Sequence, residues 1–253
     1  NLPQIRGWAH WVTNTLVLTN IQGQFYGGEL RGDAFFDFSP KVGTEFRFQA
    51  IPSKVDFHQF MSDMVGPTNT LEGVLAGTLN VTRANSSDWG SWQGNGTATL
   101  HDGFLWDIPL VGMFSPVLNA VAPGLGKSRV SEGKATYLIT NSVIYTKDLV
   151  LRAPAMRLKY DGTVDFDANV NARVEAELLR DAWLVGPLMR LALMPLSKIF
   201  EYKVTGTLGD PKKSPLYIPK LLLLPFQPFR TLKELLPSGP PNPKPAAPPP
   251  APQ

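Results

Sequence analysis

The sequence predicts a mainly β fold of the β-rich α+β class: a strongly curved antiparallel or mixed sheet forming a groove or a partly open barrel, with short helices. Three observations carry this. First, Val164, Phe166, Ala168, Val170, Ala172, Val174, Ala176 and Leu178 share one parity, and Thr163, Asp165, Asp167, Asn169, Asn171, Arg173, Glu175 and Glu177 the other. A period of two sends the two sets to opposite faces of a sheet. One dry face and one wet face is the antiparallel habit, not the all-apolar strand of a doubly wound fold. Second, glycines punctuate short aromatic and β-branched runs at Gly23, Gly27, Gly28, Gly32, Gly73 and Gly77, as bulges and bends do where a sheet curves. Third, helical spacing is confined to residues 107–122 and 182–200, too little helix to cover so much strand.

The elements follow in order. Trp8 to Leu18 is aromatic and β-branched, and strand character resumes at Phe35, Phe36 and Phe38. Val55 to Met61 fits a strand end or a short helix equally well. Thr70 to Thr82 alternates through Leu71, Val74, Leu75, Leu79 and Val81, and Asn85-Ser86-Ser87-Asp88 is a polar turn. Gly94 to Leu100 is a strand, with His101-Asp102-Gly103 read as a tight turn into Phe104-Leu105-Trp106. Leu110, Met113, Phe114, Val117, Leu118 and Val121 recur at three and four; Ser115-Pro116 marks a second start, and Pro123-Gly124 a stop. Strands follow at Lys134–Thr140, Ile144–Arg152 and Met156–Tyr160, the last ending at Asp161-Gly162. Sixteen alternating residues exceed one ordinary strand, so a turn near Asp167–Asn169 divides residues 163–178. Trp183, Leu184, Leu188, Leu191 and Leu196 return to helical spacing, broken by prolines, and Tyr202–Leu208 is the final strand, ending at Gly209-Asp210-Pro211.

The organisation is one β-rich domain over residues 1–220, a proline-interrupted apolar segment over 221–236, and a tail over 237–253. Nine of the last seventeen residues are proline, a composition that extends and tethers but packs no core. Twenty-four Lys plus Arg against 21 Asp plus Glu give a net charge of +3 with no basic stripe, so no nucleic acid partner is expected. No cysteine is present, which excludes disulfides, thiolate metal sites and cysteine nucleophiles. The most apolar stretch, 182–200, is split by Arg190, Pro187 and Pro195, so no transmembrane segment is expected.

The residues hold no evident chemistry. His10, His58 and His101 share no metal-ligand spacing, and no nucleophile–base or metal motif occurs. No catalytic residue, metal or cofactor is therefore assigned, and an enzyme is not expected. The glycines at 23–28 lack the strand–loop–helix context of a phosphate loop. Asp165, Asp167, Glu175 and Glu177 sit on the polar parity as a solvated face. Trp89, Trp92 and Trp106 suit a stacking platform or, more ordinarily, a core rim. Asn80, Asn85 and Asn95 begin glycosylation acceptor patterns at near-chance frequency.

Residues 94–219 resemble the C-terminal domain of the AsmA-like family of bacterial envelope proteins. The likeness rests on Gly94–Leu100 followed by Asp102-Gly103-Phe104-Leu105-Trp106, on the helical stretch Pro109–Val121, and on Ala135–Ile139 and Asp148–Leu151. Asp161-Gly162-Thr163-Val164-Asp165-Phe166 and the terminal Val204-Thr205-Gly206-Thr207-Leu208-Gly209-Asp210-Pro211 complete it. The resemblance implies a periplasmic β-rich body, part of a longer protein anchored in the inner membrane. It further implies an apolar β-groove that handles or transfers phospholipid in support of outer-membrane homeostasis.

On that reading phospholipid or another acyl lipid is the partner, and Val164, Phe166, Val170, Val174 and Leu178 are the lipid-facing candidates. Leu110, Met113, Phe114, Val117, Leu188 and Leu191 are candidates for an apolar helix or mouth. The proline-rich tail is a candidate contact for an envelope protein partner. The alternative is an envelope structural or assembly factor with a closed apolar core and no lipid cargo.

Overall fold

The computed structural model describes residues 4–121, 123–179 and 198–218. The chain divides into two units, Asn1–Tyr217 and Ile218–Gln253, and only the first is described here. The readings of 182–197, including Leu188 and Leu191, and of the apolar segment and tail beyond residue 218 lie outside the described residues.

Thirteen strands form one antiparallel sheet that does not close. In order they are β1 (Arg6–Val12), β2 (Thr15–Phe25), β3 (Gly28–Asp37), β4 (Glu45–Ser53), β5 (Val55–Asp56), β6 (Glu72–Asn85), β7 (Asp88–Phe104), β8 (Val130–Thr140), β9 (Val143–Arg152), β10 (Met156–Asp165), β11 (Asn169–Leu178), β12 (Lys198–Thr207) and β13 (Pro211–Tyr217). Each pairs with its sequence neighbour, except that β4 passes to β6 and the short β5 also pairs with β6. The helices are α1 (Phe57–Val65), α2 (Pro109–Gly112) and α3 (Ser115–Val121), with a 3-10 turn at Leu125–Lys127.

The predicted antiparallel, open sheet is therefore present, and local chemistry explains its hairpins. Tyr26-Gly27 and Asn141-Ser142 both have positive φ at two successive residues, the geometry of the two-residue turn that matches strand twist. At the β10–β11 hairpin the Ala168 N–H donates to the Asp165 carbonyl (3.0 Å). Asp165 Oδ1 accepts from the Asn169 N–H (2.7 Å), and Ala168 takes φ 65°. That is a three-residue loop at the position where the long alternation had to divide. α1 starts at Asp56, whose carboxylate accepts from the Gln59 N–H (3.1 Å) as an N-cap. The single helical stretch is two helices, as Ser115-Pro116 suggests.

The aromatic, β-branched stretch Trp8–Leu18 forms a hairpin, because Thr13 adopts φ 50° and Val12 pairs with Thr15. Three expectations are corrected. His101-Asp102-Gly103 is no turn: β7 continues through it, with Asp102 at φ 52° taking up a register shift against β6. Asp161-Gly162 likewise lies inside β10, at a register shift against β9, where a Cβ on Gly162 would collide with Ala172. Asp102-Gly103 marks a bulge on β7 and uses the positive φ a turn would need, whereas at Asp161-Gly162 the extra residue is on β9 and the glycine answers the close approach of β11. Finally, Tyr202–Leu208 is not the last strand; β13 follows, with Pro211 at its first residue.

One parity faces inward across the whole sheet. Register links Trp11 to Leu16, Phe36 and Phe46, and Leu18 to Ala34, Phe48, Val81 and Gly94. Leu79 continues to Gly96 and Tyr137, and Val164 to Val170 and Gly206. The other face is mixed: it carries ion pairs together with Val17, Phe35, Val74 and Leu138, the last two 43% and 56% exposed. On it, burial raises the Glu177 carboxyl, but hydrogen bonds from Lys159 (2.6 Å) and Arg157 (2.8 Å from Nε) outweigh this and hold it at about 2. Arg173 sits there too, but it is not merely solvated. Its guanidinium pairs with Glu201, whose side chain is 7% exposed, so this surface arginine screens a buried carboxylate.

Candidate functional site

The helical segments divide the inner face into a closed and an open part. α2, α3 and the 3-10 turn lie over β10–β12. Phe114, fully buried, stacks on Phe200 at 5.2 Å between centroids and meets Tyr202 at 5.7 Å. The Tyr160 hydroxyl donates to the Leu110 carbonyl (3.4 Å), and Lys213 Nζ donates to the Met113 carbonyl while lying over the Phe114 and Tyr202 rings. Burial lowers the Lys213 pKa and raises that of Tyr160, as desolvation disfavours each charged form. Leu118, Val121 and Leu125 complete this core with Met156, Leu158, Val174, Ala176 and Val204.

At the other flank of the same sheet end, α1 covers only the margin. Phe60 meets Phe25 (6.1 Å) and Tyr26 (5.5 Å), and the Tyr26 hydroxyl donates to Asp63 (2.7 Å).

Between these two caps the described residues leave the face open. Leu16, Leu18, Ile21, Ala34, Phe36, Phe46, Phe48, Ala50, Leu79 and Ala98 all stay half-exposed, although Val81, Ala84 and Leu100 on the same side are buried, and buried apolar side chains are densest on β8–β12 and the helices. No ionisable carboxylate, lysine, arginine or histidine points inward from β2 to β8; those of β3 and β4 (Glu29, Arg31, Asp33, Asp37, Glu45 and Arg47) take the opposite parity. The floor is narrow in side-chain bulk. Gly32 lies opposite Ala50, Leu79 opposite Gly96, and Gly77 opposite Ala98. Gly96 is required: the Tyr137 ring lies over it to donate to the Thr78 carbonyl (2.8 Å), and a Cβ there would strike that ring.

The open part runs to the sheet end opposite the helices, where an aromatic row crosses it. Trp11 stacks on Phe38 (5.3 Å), Phe36 meets Phe46 (6.1 Å), Phe46 meets Trp92 (5.4 Å), and Trp92 stacks on Trp89 (5.4 Å). Phe166, at the β10–β11 tip, packs edge-on against both Trp89 and Trp92 (5.7 Å each). These three rings, with Ile144, Val164 and Leu208, line a recess of about 620 Å³. Contact between β7 and the β10–β11 tip, strands three places apart in the sheet, shows the inner face curling on itself here.

The five lipid-facing candidates thus separate. Val164 and Phe166 line the open recess, Val170 is buried beside Val164, Val174 is buried in the closed part, and Leu178 is half-buried at the helical end of β11. Of the helix candidates, Phe114 is core, while Leu110, Met113 and Val117 are half-buried. They stand at the capped end, away from the mouth. Trp89 and Trp92 join the aromatic row, and Trp106 does not; its indole donates to the Ser128 carbonyl (2.9 Å) at the helical end. The open floor on β2–β7 went unnamed in the sequence, although Phe36, Phe46 and Phe48 carried the signal.

A second recess of about 660 Å³ at the helical end is polar, with Lys54, Asp56, His58 and Arg129 on its walls. Its polar groups engage each other: Arg129 pairs with Glu72 (2.7 Å), and His58 Nδ1 lies 3.1 Å from the Leu71 carbonyl. Among the described residues no cluster of three or more His, Asp or Glu could hold a metal ion, and no helix is long and apolar enough to cross a membrane. Compared with protein-family models, curated proteins and solved structures, the chain matches none.

Proposed function

We propose that this protein is a non-enzymatic cell-envelope component that holds acyl lipid, phospholipid above all, along the open inner face of its sheet. The observation that supports it is the half-exposed apolar surface that runs over β2, β3 and β4 and reaches Leu79 and Ala98, free of inward charge and floored in part by glycine and alanine. A soluble protein rarely leaves so large a contiguous apolar surface without an occupant. The dimensions suit a lipid. Six strands from β2 to β8, excluding β5, span about 24 Å at about 4.8 Å per strand, against about 15 Å for the hydrocarbon of one membrane leaflet.

The energetics suit a carrier. A sixteen-carbon chain removed from water gains about 13 kcal/mol at about 0.8 kcal/mol per methylene. Most of that is already present in a donor membrane, so exchange is close to neutral and reversible. The resemblance of residues 94–219 to the AsmA-like domain supports the same reading and a periplasmic place for it.

Leu79→Glu sets a carboxylate in the middle of this floor at a half-exposed site, where folding tolerates it and an acyl chain does not. Native mass spectrometry on protein extracted from its host should find phospholipid on the parent and little on this variant, with circular dichroism unchanged. A lipid-free parent would favour the structural or assembly role without cargo.

A further inference from the structure

The end of the sheet remote from the helices carries the large apolar side chains least expected of hairpin tips. Turns are ordinarily built from Gly, Pro, Asn, Asp and Ser. Here Trp11 and Val12 flank the β1–β2 turn, Phe38 and Val42 lie in the β3–β4 connection, Trp89 follows the β6–β7 turn, and Leu208 opens the β12–β13 turn. Trp11, Val42 and Trp89 are 60%, 71% and 62% exposed. These side chains come from four separate hairpins and project at one edge, so no single strand's core packing accounts for them.

Three features of this edge converge on one occupant. Among the described residues it is the end at which the apolar floor carries no cap, since α1, α2 and α3 all sit at the opposite end. Its aromatic row is continuous with the recess of Trp89, Trp92 and Phe166, so the exposed rim and the floor form one apolar surface. Its loops carry few charges: residues 13–14, 38–44, 86–87, 141–142, 166–168 and 208–210 contain only Lys41, Asp167 and Asp210. A rim near neutrality, with indoles at its margin, matches a zwitterionic headgroup layer, where tryptophan is at home half in water and half in hydrocarbon. An anionic surface would call for a cluster of Lys and Arg.

We infer that the hairpin tips bearing Trp11, Phe38, Val42 and Trp89 dock onto the surface of a zwitterionic bilayer, presenting the uncapped end of the apolar floor to it. This rests on the lipid-holding reading for its purpose, but not for its test. Docking places the mouth at the depth of the headgroups, so a chain can leave the leaflet without crossing water.

Flotation of the full chain with phosphatidylcholine vesicles measures docking, and native mass spectrometry of the same preparations measures cargo. The parent should float, and Trp11→Gln/Val42→Ser should reduce the bound fraction about tenfold, since both side chains insert and neither supports the core. This pair leaves the Trp89–Trp92–Phe166 stack untouched, and an unchanged melting curve confirms that folding is not the cause. Leu79→Glu should float like the parent. Replacing a third of the lipid with phosphatidylglycerol should change binding less than about twofold at physiological salt.

A parent that carries lipid but does not float, or a rim variant that floats equally well, overturns the docking and leaves the lipid-holding reading standing. Binding confined to anionic vesicles and abolished by salt also overturns it. A parent that floats yet carries no lipid sustains the docking and sinks the lipid-holding reading instead.

Discussion

Val174→Asp should strip the fold of much of its stability. Val174 has no exposed surface, and its register partners on the two sides are Tyr160 of β10 and Tyr202 of β12. Among the described residues a carboxylate there has no partner ready. Lys213, the basic side chain that reaches this face, is committed to the Met113 carbonyl beneath α2. An unpaired charge in such surroundings costs about 4 kcal/mol or more, against a total stability of about 5–15 kcal/mol for an ordinary domain.

The pH dependence has a definite sign. Burial raises the introduced carboxyl above its unfolded value, so the variant binds more protons folded than unfolded and regains stability as pH falls. Urea titrations at pH 5 and pH 8 check this: the variant should be less unstable at pH 5. Val174→Ala, which opens a small cavity, should cost about 2 kcal/mol and remain folded. A Val174→Asp protein as stable as the parent would mean that this position opens to water.

Phe114→Ala should carry the second largest effect. Phe114 is the contact through which the helical cap grips the sheet: it is fully buried, stacks on Phe200, tilts against Tyr202 and lies under Lys213 Nζ. Removing a buried phenyl ring costs about 3–5 kcal/mol, and here it also strips the apolar neighbour from Lys213. Urea unfolding should show this loss, with Phe114→Leu recovering much of it by refilling volume. The open floor is built without the cap, so Phe114→Ala should keep the lipid it holds as long as it stays folded. A cost below about 1 kcal/mol would show that the cap is held elsewhere.

What the sequence discloses and what it conceals have physical reasons. Residues 163–178 were legible as paired strands because no bulge interrupts β11 until Ala176, so parity survives over the full length. The same inward pattern exists on β2, but Leu16 and Leu18 face inward with Ile21, Gly23 and Phe25, and the parity changes at Asn20, which takes φ 53° and shifts the register. On β6 it changes again between Val81 and Ala84. Each bulge reverses the apparent phase, and a strand read residue by residue then looks irregular. Asp-Gly at 102–103 deceived for a related reason, since bulges and turns draw on the same residues, and Gly162 deceived because a glycine demanded by the close approach of β11 looks like a turn glycine.

The site was less legible than the fold. Strict alternation singled out Val170 and Val174, yet a strand alternates equally well whether its dry face meets helices or a ligand. What separates β11 from β3 is where α2 and α3 land, and that is fixed by Phe114, Phe200 and Tyr202 meeting across distant parts of the chain. The residues that distinguish an open floor are the small ones, Gly32, Ala50, Gly77, Gly96 and Ala98, and they become meaningful only once register lays them side by side. Exposed tryptophans at hairpin tips were visible as aromatic residues near turns, but not as one edge.

The central claim, that acyl chains lie on the inner face between β2 and β8, is tested most directly by photocrosslinking. A phospholipid with a diazirine near the end of its acyl chain is exchanged into the protein, irradiated, and located by peptide mass spectrometry. Labels should fall on the half-exposed inward side chains, with Leu18, Phe36, Phe48 and Leu79 foremost. The outward parity of the same strands (Arg31, Asp33 and Arg47) and the closed core around Val174 and Phe200 should stay unlabelled. Labels distributed over both parities, or concentrated on the closed core, would contradict the account.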